Sequence, residues 1–339
     1  MVEKKKHIDE IDIAKGIGIF LVVLGHCFPD VSAERGVSVP LFRAVHDVEY
    51  TFHMPLMFFL AGFLSQRVLK AREGKDKIQF IKDRFVRLML PYFSIGLLYM
   101  PIKMILARFA AQPFDLSNLW QIFLGENPNG GLWYLYDLFV IQVVLVLICS
   151  KTNIRYLLPI SAVLSVVLAV LGLSFYRIDD AIYYLFFVLF GLRFGMVYKE
   201  KSKIISCETA WFSIIGFLIS TYCCLKFAIE PLKFLCGITG TIAVVGLSIM
   251  LSKSSGGQFV RCLKYLGTHS MDIYVLHGMV MVAIRIPLWS MLKLNYYFCT
   301  VVMFVGGLII PIMVSELILR KVKIFKLLFL GEKTMEATT

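Results

Sequence analysis

Long apolar stretches alternate with short polar segments along the whole chain. A helix needs about 20 apolar residues to cross the hydrocarbon core of a bilayer. Windows of about this length occur at 11–28, 49–66, 88–107, 132–149, 156–175, 181–198, 209–228, 232–251, 271–290 and 297–319. The pattern therefore predicts an all-α polytopic membrane protein with about ten transmembrane helices.

Composition and charge agree with this interpretation. Hydrophobic residues make up 58% of the chain and charged residues only 17%, whereas soluble domains are about 25% charged. If the N-terminus is cytoplasmic, 25 Lys and Arg residues fall in inside segments and 8 in outside segments. This bias predicts that both termini are cytoplasmic and that the protein is a multi-pass protein of the cell (inner, cytoplasmic) membrane. The basic residues form no stripe interleaved with aromatics, so we expect no nucleic-acid partner.

The lengths of the polar segments indicate the domain organisation. We expect residues 1–330 to form a single transmembrane domain and residues 331–339 to form a polar, frayed tail. The eight cysteines lie mostly within apolar windows and show neither a CxxC pair nor zinc-ligand spacing. We therefore expect no structural disulfide and no metal site.

The first window carries three ionisable residues on one helical stripe, namely Asp12, Lys15 and His26. Asp12 and Lys15 are three residues apart and can pair. Lys15 and His26 are eleven residues apart, which is roughly 16 Å along a helix. Such groups usually face a bundle interior or a wet cavity and mark function. The structural alternative is an Asp–Lys pair with a histidine that snorkels to the interface. Because Asp12 and Lys15 interrupt the apolar run, we expect a retained helix rather than a cleaved signal peptide.

Further candidates lie near the ends of other windows. His53 is predicted at the same depth as His26 and shares a cavity with it, or is an inert interfacial histidine. Arg84 and Arg87 are one turn apart as the third window begins. They form a phosphate clamp, or they are positive-inside charges that contact lipid headgroups.

The fourth and ninth windows contain aromatic and ionisable residues that are candidates for binding an acceptor or lining a cavity. Trp133 and Tyr134 open the fourth window, where they form an aromatic belt or stack on a sugar ring. Asp137, one turn deeper, is an intramembrane acid and a functional candidate. Tyr274 and His277 share one face of the ninth window. His277 lies about two turns into the membrane, so it is a candidate for lining a cavity.

Five motifs occur in order along the chain: DIAKGIGIFLVVLGHC, FHMPLMFFLAGFL, RFVRLMLPY, GGLWYL and YLGTHSMDIYVLH. In this arrangement the chain resembles the membrane-bound acyltransferase family 3, whose members O-acylate, and mostly O-acetylate, surface polysaccharides and related glycans. The resemblance implies acetyl-CoA or another acyl-CoA as cytoplasmic co-substrate, with no permanently bound cofactor. It implies a glycan or lipid-linked saccharide as acceptor.

The resemblance also implies functional roles for Lys15, His26, Arg84 and Arg87. The chain departs from the family in having Lys15 where arginine is frequent, and a lysine makes no planar bidentate contact. Ala61 stands where the family often has serine.

These observations combine into one hypothesis, an integral membrane O-acyltransferase. Acyl-CoA docks its phosphates at the two arginines and passes its pantetheine arm along Lys15, and His26 acts as general base or takes the acyl group itself. His53 is the candidate oxyanion donor, and Asp12 is the third candidate catalytic residue. Two alternatives stay open, namely a transporter or exporter of a nascent glycan and a non-catalytic sensor or scaffold.

Overall fold

The computed structural model describes residues 8–29, 37, 39–74, 76–106, 109, 115–172, 176–200, 206–229, 231–253 and 257–333. Within these ranges the chain is helical and contains no strand. The α-helices are α1 Asp9–His26, α2 Pro40–Glu49, α3 His53–Leu64, α4 Arg67–Glu73, α5 Lys77–Arg84, α6 Leu90–Ile105, α7 Trp133–Ile148, α8 Ile154–Leu171, α9 Ile178–Glu200, α10 Cys207–Phe227, α11 Leu232–Lys253, α12 Gln258–Thr268, α13 Ser270–Arg285, α14 Tyr296–Val314 and α15 Lys323–Leu330. Short π-helical turns, Phe85–Met89, Ile286–Met291 and Ser315–Leu319, join or extend three of them.

The all-α polytopic fold is confirmed, and eight helical stretches of the described chain are long and apolar enough to cross a membrane. They are Lys77–Ile105, Gly130–Ile148, Ile154–Leu171, Ile178–Tyr198, Glu208–Phe227, Leu232–Lys253, Ser270–Met291 and Tyr296–Leu319. These stretches correspond to the third to tenth predicted windows.

The first two windows differ from the prediction of uniform spans. The first is helical as α1, but its opening turns carry Asp9, Glu10, Asp12 and Lys15. The second window is not continuous, because α2 ends at Glu49 and α3 begins only at His53. With 12 residues, α3 is roughly 18 Å long, shorter than the hydrocarbon core of about 30 Å.

The first helix lies at the centre of the bundle, where it packs against α3, α11, α12, α13 and α14. Its closest approach is to α12. Gly16 faces the backbone of Leu263, and Gly267 of α12 faces the backbone carbonyl of Asp12. A side chain at either glycine would meet backbone atoms of the facing helix. These two glycines therefore set the distance between α1 and α12.

The chain beyond α15 returns to the end of the bundle where α1 begins. Asp12 packs against Gly267, and Asp272 a few residues later pairs with Arg320. Arg320 in turn binds Glu332. We call this the N-terminal end of the bundle and the end with His26 the opposite end. Residues 331–333, the described part of the predicted polar tail, contact the helices at this end.

Candidate functional site

A cavity of about 460 Å³ lies at the opposite end of the bundle. Its walls come from the end of α1, from α6, α13 and α14, and from the segment that precedes α7. The lining residues are His26, Phe28, Tyr99, Ile102, Lys103, Leu106, Phe109, Pro128, Asn129, Gly130, Gly131, His277, Gly278, Met281, Val282, Arg285, Ile286 and Met303. This size is typical of small-molecule sites, which are mostly apolar with a few placed polar groups.

Two histidines meet in this cavity. His26 is the last residue of α1 and His277 lies two turns into α13, with their ring centroids 5.4 Å apart. His277 Nδ1 lies 3.1 Å from the carbonyl oxygen of Ile273 and 2.8 Å from that of Tyr274. Because carbonyl oxygens only accept hydrogen bonds, Nδ1 carries a proton, and in the neutral imidazole Nε2 keeps its lone pair. The two predicted cavity residues are thus brought together.

The ring nitrogens of His26 make no hydrogen bond with any residue in the described ranges. The side chain is only partly buried, and it faces the cavity. An imidazole that has no protein partner and borders a cavity is able to exchange a proton with a bound molecule. Among the candidates singled out from the sequence, His26 is therefore the best placed to act as a general base.

Two cations also line the cavity and were not singled out from the sequence. Lys103 Nζ donates to the carbonyl of Pro128 at 3.3 Å, and Arg285 donates to the carbonyl of Phe109 at 2.8 Å. Both are basic residues at or near the edge of an apolar window. That position is the feature of the sequence from which they could have been identified. They give the cavity wall positive charge next to His26.

A buried acid–histidine pair lies beside His26. Glu49 and His53 are both 3% exposed, and His53 Nδ1 is 2.9 Å from Glu49 Oε1. Gly25 leaves the space that the other Glu49 oxygen occupies. The ring of Tyr50 lies between the histidines, with its centroid 6.2 Å from that of His26 and 4.9 Å from that of His53. His53 is thus near His26, as predicted, but it does not line the cavity.

Three residues that the sequence singled out as acceptor or cavity candidates, Trp133, Tyr134 and Asp137, lie outside this cavity. Asp137 is fully buried, but it pairs with Arg177 at 2.7 Å, and the Arg177 guanidinium stacks on Trp133 at 4.7 Å. The Tyr134 hydroxyl donates to the carbonyl of Met57 at 3.3 Å. None of the three lines the cavity. The buried carboxylate of Asp137 and the hydroxyl of Tyr134 thus have protein partners, as buried polar groups require.

Tyr274 does border the cavity wall. Its hydroxyl donates to the carbonyl of Gly131, which lines the cavity, and its ring centroid is 6.0 Å from that of His277. This contact fixes the start of α7 against α13. Tyr274 therefore shapes the site through the segment that precedes α7.

The other predicted residues of α1 lie at the N-terminal end. Lys15 Nζ is 2.8 Å from Asp12 Oδ1, which confirms the predicted pair. Neither residue lines the cavity. Asp12 is fourteen residues from His26, roughly 21 Å along α1, so it does not reach the same reacting atoms. The stripe between Lys15 and His26 is filled by Ile19 and Val22, which are fully buried.

The two predicted phosphate-binding arginines also lie at the N-terminal end, where they have different surroundings. Arg87 donates to the carbonyl of Leu330 at 2.7 Å and pairs with Glu332 at 3.2 Å. The Arg84 guanidinium packs over the ring of Phe80 at 5.0 Å. The π-helical turn Phe85–Met89 begins between the two arginines, so they do not occupy the same face of a regular α-helix.

One group of potential metal ligands occurs in the described part of the chain. Donor atoms of His269, Asp272 and Glu316 lie within 4.8 Å of one another. The Arg320 guanidinium already pairs with both acids, at 2.8 Å from Asp272 and 3.1 Å from Glu316. The arginine supplies the positive charge that a metal would bring.

Together these features define an all-α multi-pass membrane protein with a histidine-lined cavity at one end and an arginine cluster at the other. The family model for the acyltransferase domain of acyltransferase family 3 matches residues 8–316, so the chain belongs to this family. Membership supports membrane acyltransferase activity.

The chain is similar to Nodulation protein NolL of Mesorhizobium japonicum, with 22% identity over 224 residues. The match covers 63% of this chain and 54% of the relative, so the chain spans about half of that protein's length. No solved structure matches the chain.

Proposed function

We propose that the protein is an integral O-acyltransferase of the cytoplasmic (inner) cell membrane. It moves an acyl group, with acetyl as the expected one, from cytoplasmic acyl-CoA to a hydroxyl of an envelope or extracellular glycan. The observation that carries the proposal is the position of His26, whose ring has no hydrogen-bond partner in the described ranges and faces a cavity. The chain belongs to an acyltransferase family, and acyl transfer to a hydroxyl is a reaction in which an imidazole is able to act as general base.

In the proposed reaction His26 accepts the proton of the acceptor hydroxyl. The hydroxyl oxygen attacks the thioester carbonyl, so a carbon–oxygen bond forms and the carbon–sulfur bond breaks. The proton returns from His26 to the departing CoA sulfur. His277 keeps a lone pair on Nε2, so it is able to accept a hydrogen bond from His26, directly or through one water. Lys103 and Arg285 supply positive charge for the oxyanion that develops on the carbonyl.

The donor is proposed to dock at the N-terminal end of the bundle. Guanidinium groups bind phosphate in a planar, two-point contact, and Arg87 and Arg84 are only partly buried there. The pantetheine arm then extends along α1 past Lys15 toward His26. Because Ile19 and Val22 fill the stripe between these residues, α1 and its neighbours must part for the arm to pass.

The test is the amount of ester-linked acyl groups on envelope glycans, measured by mass spectrometry in cells with and without the protein. We expect esters with the wild-type protein and a loss of at least about 100-fold for His26→Gln, because a general base contributes about that much or more. His46→Gln is the matched control. His46 stacks on Tyr50 at 3.9 Å but does not line the cavity, so it should retain activity.

Esters at near wild-type levels in a folded and inserted His26→Gln protein would refute the mechanism. Glycan that reaches the cell surface only when the protein is present, but carries no ester, would instead support the exporter alternative.

A further inference from the structure

The segment that follows α15 places a carboxylate among three cations at the N-terminal end of the bundle. Glu332 lies 3.2 Å from Arg87, 3.0 Å from Arg320 and 3.6 Å from Lys326. Its side chain is 27% exposed, and those of the three cations are 26–37% exposed. The group is therefore accessible to a solute from outside the bundle.

Backbone geometry directs the segment to this position. Gly331 ends α15 in the left-handed region, with φ of +61°, where residues with a side chain are strained. It also lies against the backbone carbonyls of Val86 and Arg87, where a Cβ would clash. Lys333 continues the contact by pairing with Asp83 at 2.8 Å. The three residues 331–333 form a short strap across the turn that carries Arg87.

Arg320 is held rigidly in its place beside the strap. Its guanidinium makes two bonds to the buried Asp272, at 2.9 and 2.8 Å, and the same carboxylate receives His269 at 2.9 Å. A fixed guanidinium loses little conformational entropy when it binds an anion. Arg320 thus offers a preorganised donor that faces Arg87 across Glu332.

Three cations around one accessible carboxylate are the chemistry of an anion site. A phosphate group carries more charge than a carboxylate and has three acceptor oxygens, so it suits two guanidiniums and an ammonium better. Acyl-CoA carries such groups, and in the proposed function it enters from this end.

We propose that Arg87, Arg320 and Lys326 form a phosphate site for acyl-CoA, and that Glu332 on the strap occupies this site until the coenzyme displaces it. The assignment rests on the proposed function and adds two binding residues and a competing group to it. Glu332 lowers the apparent affinity for CoA, because only the fraction of molecules with a free site is competent to bind.

The experiment measures CoA binding by calorimetry with the full chain in nanodiscs made of phosphatidylcholine only. Exposed ion pairs contribute up to about 1 kcal/mol, so we expect Glu332→Gln to bind CoA up to about fivefold more tightly. Gly331→Ala, which lifts the strap without changing charge, should act in the same direction. Lys326→Gln should weaken CoA binding severalfold, while Lys326→Arg retains it.

Two matched controls come from the same chain. Lys323 lies one turn before Lys326 on α15 and is exposed, and Glu208 is an acid at the start of α10. Lys323→Gln and Glu208→Gln should bind CoA as the wild type does. The affinity for 3′-dephospho-CoA identifies which phosphate binds at the site. Weaker binding than that of CoA assigns the 3′-phosphate, and equal binding assigns the diphosphate.

Unchanged or weaker CoA binding in Glu332→Gln would overturn the inference and leave the proposed function standing. A wild-type protein that binds no CoA would overturn both. A lipid headgroup, rather than CoA, would occupy the site if two results came together. Added phosphatidylglycerol would displace the strap and raise the melting temperature of the variants, and none of the substitutions would change the affinity for CoA.

Discussion

The buried pair of Asp137 and Arg177 gives the sharpest test of the assigned geometry. Asp137 is fully buried, whereas the side chain of Arg177 is 18% exposed and also pairs with Asp180 at 2.7 Å. The two partners therefore differ in what each leaves behind when the other is removed. Arg177→Met leaves a fully buried carboxylate with no counter-charge. Asp137→Asn leaves a guanidinium that still has a second carboxylate and access to solvent.

These differences predict an order of stability. Breaking a buried pair by removing one partner costs about 3–5 kcal/mol, and we expect this for Arg177→Met. For Asp137→Asn we expect about 1–2 kcal/mol, toward the lower end of what a hydrogen bond to a charged group contributes, because Arg177 keeps Asp180 as a partner. The double variant removes the stranded carboxylate as well, so it should be more stable than Arg177→Met alone by about 2 kcal/mol.

The assay is thermal unfolding in detergent, followed with a thiol-reactive fluorophore. The buried Cys27 and Cys149 react when the helices separate. The melting temperature should fall most for Arg177→Met, less for the double variant and least for Asp137→Asn. Two results would refute the reasoning: a larger loss for Asp137→Asn than for Arg177→Met, or strictly additive effects in the double variant. If Asp137 instead served an acceptor in the cavity, its substitution would abolish glycan esters without lowering the melting temperature.

Two further predictions concern glycines. Gly25→Ala would push the carboxylate of Glu49 out of its place beside His26, so we expect about a tenfold or greater loss of ester formation. At Gly18 the added methyl would press only on the flexible thioether of Met57, with Leu56 at ordinary contact distance, so Gly18→Ala should retain most activity in the same glycan assay. Gly267→Ala would force α12 away from the backbone of α1 and should lower the free energy of unfolding by about 1–3 kcal/mol. Gly216→Ala is its control, because the added methyl would lie at ordinary contact distance from its neighbour, and the melting temperature should stay unchanged or rise.

Most of the long helices could be predicted from the apolar windows, because length and hydropathy decide which helices can cross a bilayer. The windows did not reveal the short helices outside them. Helix α12 has a polar face and the segment of α2 looked like an external loop, so neither stands out by hydropathy. The break at 50–52 was also missed, since an apolar window cannot show where a helix stops and restarts.

Parts of the candidate cavity could be predicted from the sequence where one ionisable residue stands out in an apolar window. His26 and His277 stood out as ionisable groups in apolar windows, and both line the cavity. Asp137 is also an ionisable residue in an apolar window, but it pairs with Arg177 and does not line the cavity. Arg177 is 40 residues away, and a single sequence does not show a pairing at that separation. Glu332 could not be singled out from the sequence, because the three cations that it contacts come from separate parts of the chain.

The two ends of α1 place a constraint on any mechanism that joins them. Lys15 and His26 are separated by roughly 16 Å of helix, and the buried Ile19 and Val22 fill the face between them. In the proposed mechanism, acyl-CoA that docks at Arg87 would therefore reach His26 only in a rarer arrangement of the helices. If that arrangement is populated at about 1%, the apparent affinity for productive binding falls about 100-fold below the intrinsic one. Substitutions at the phosphate site should then change CoA affinity alone, because they act on docking. Substitutions that loosen the packing of Ile19 or Val22 should change the rate of acyl transfer as well, because they act on the passage itself.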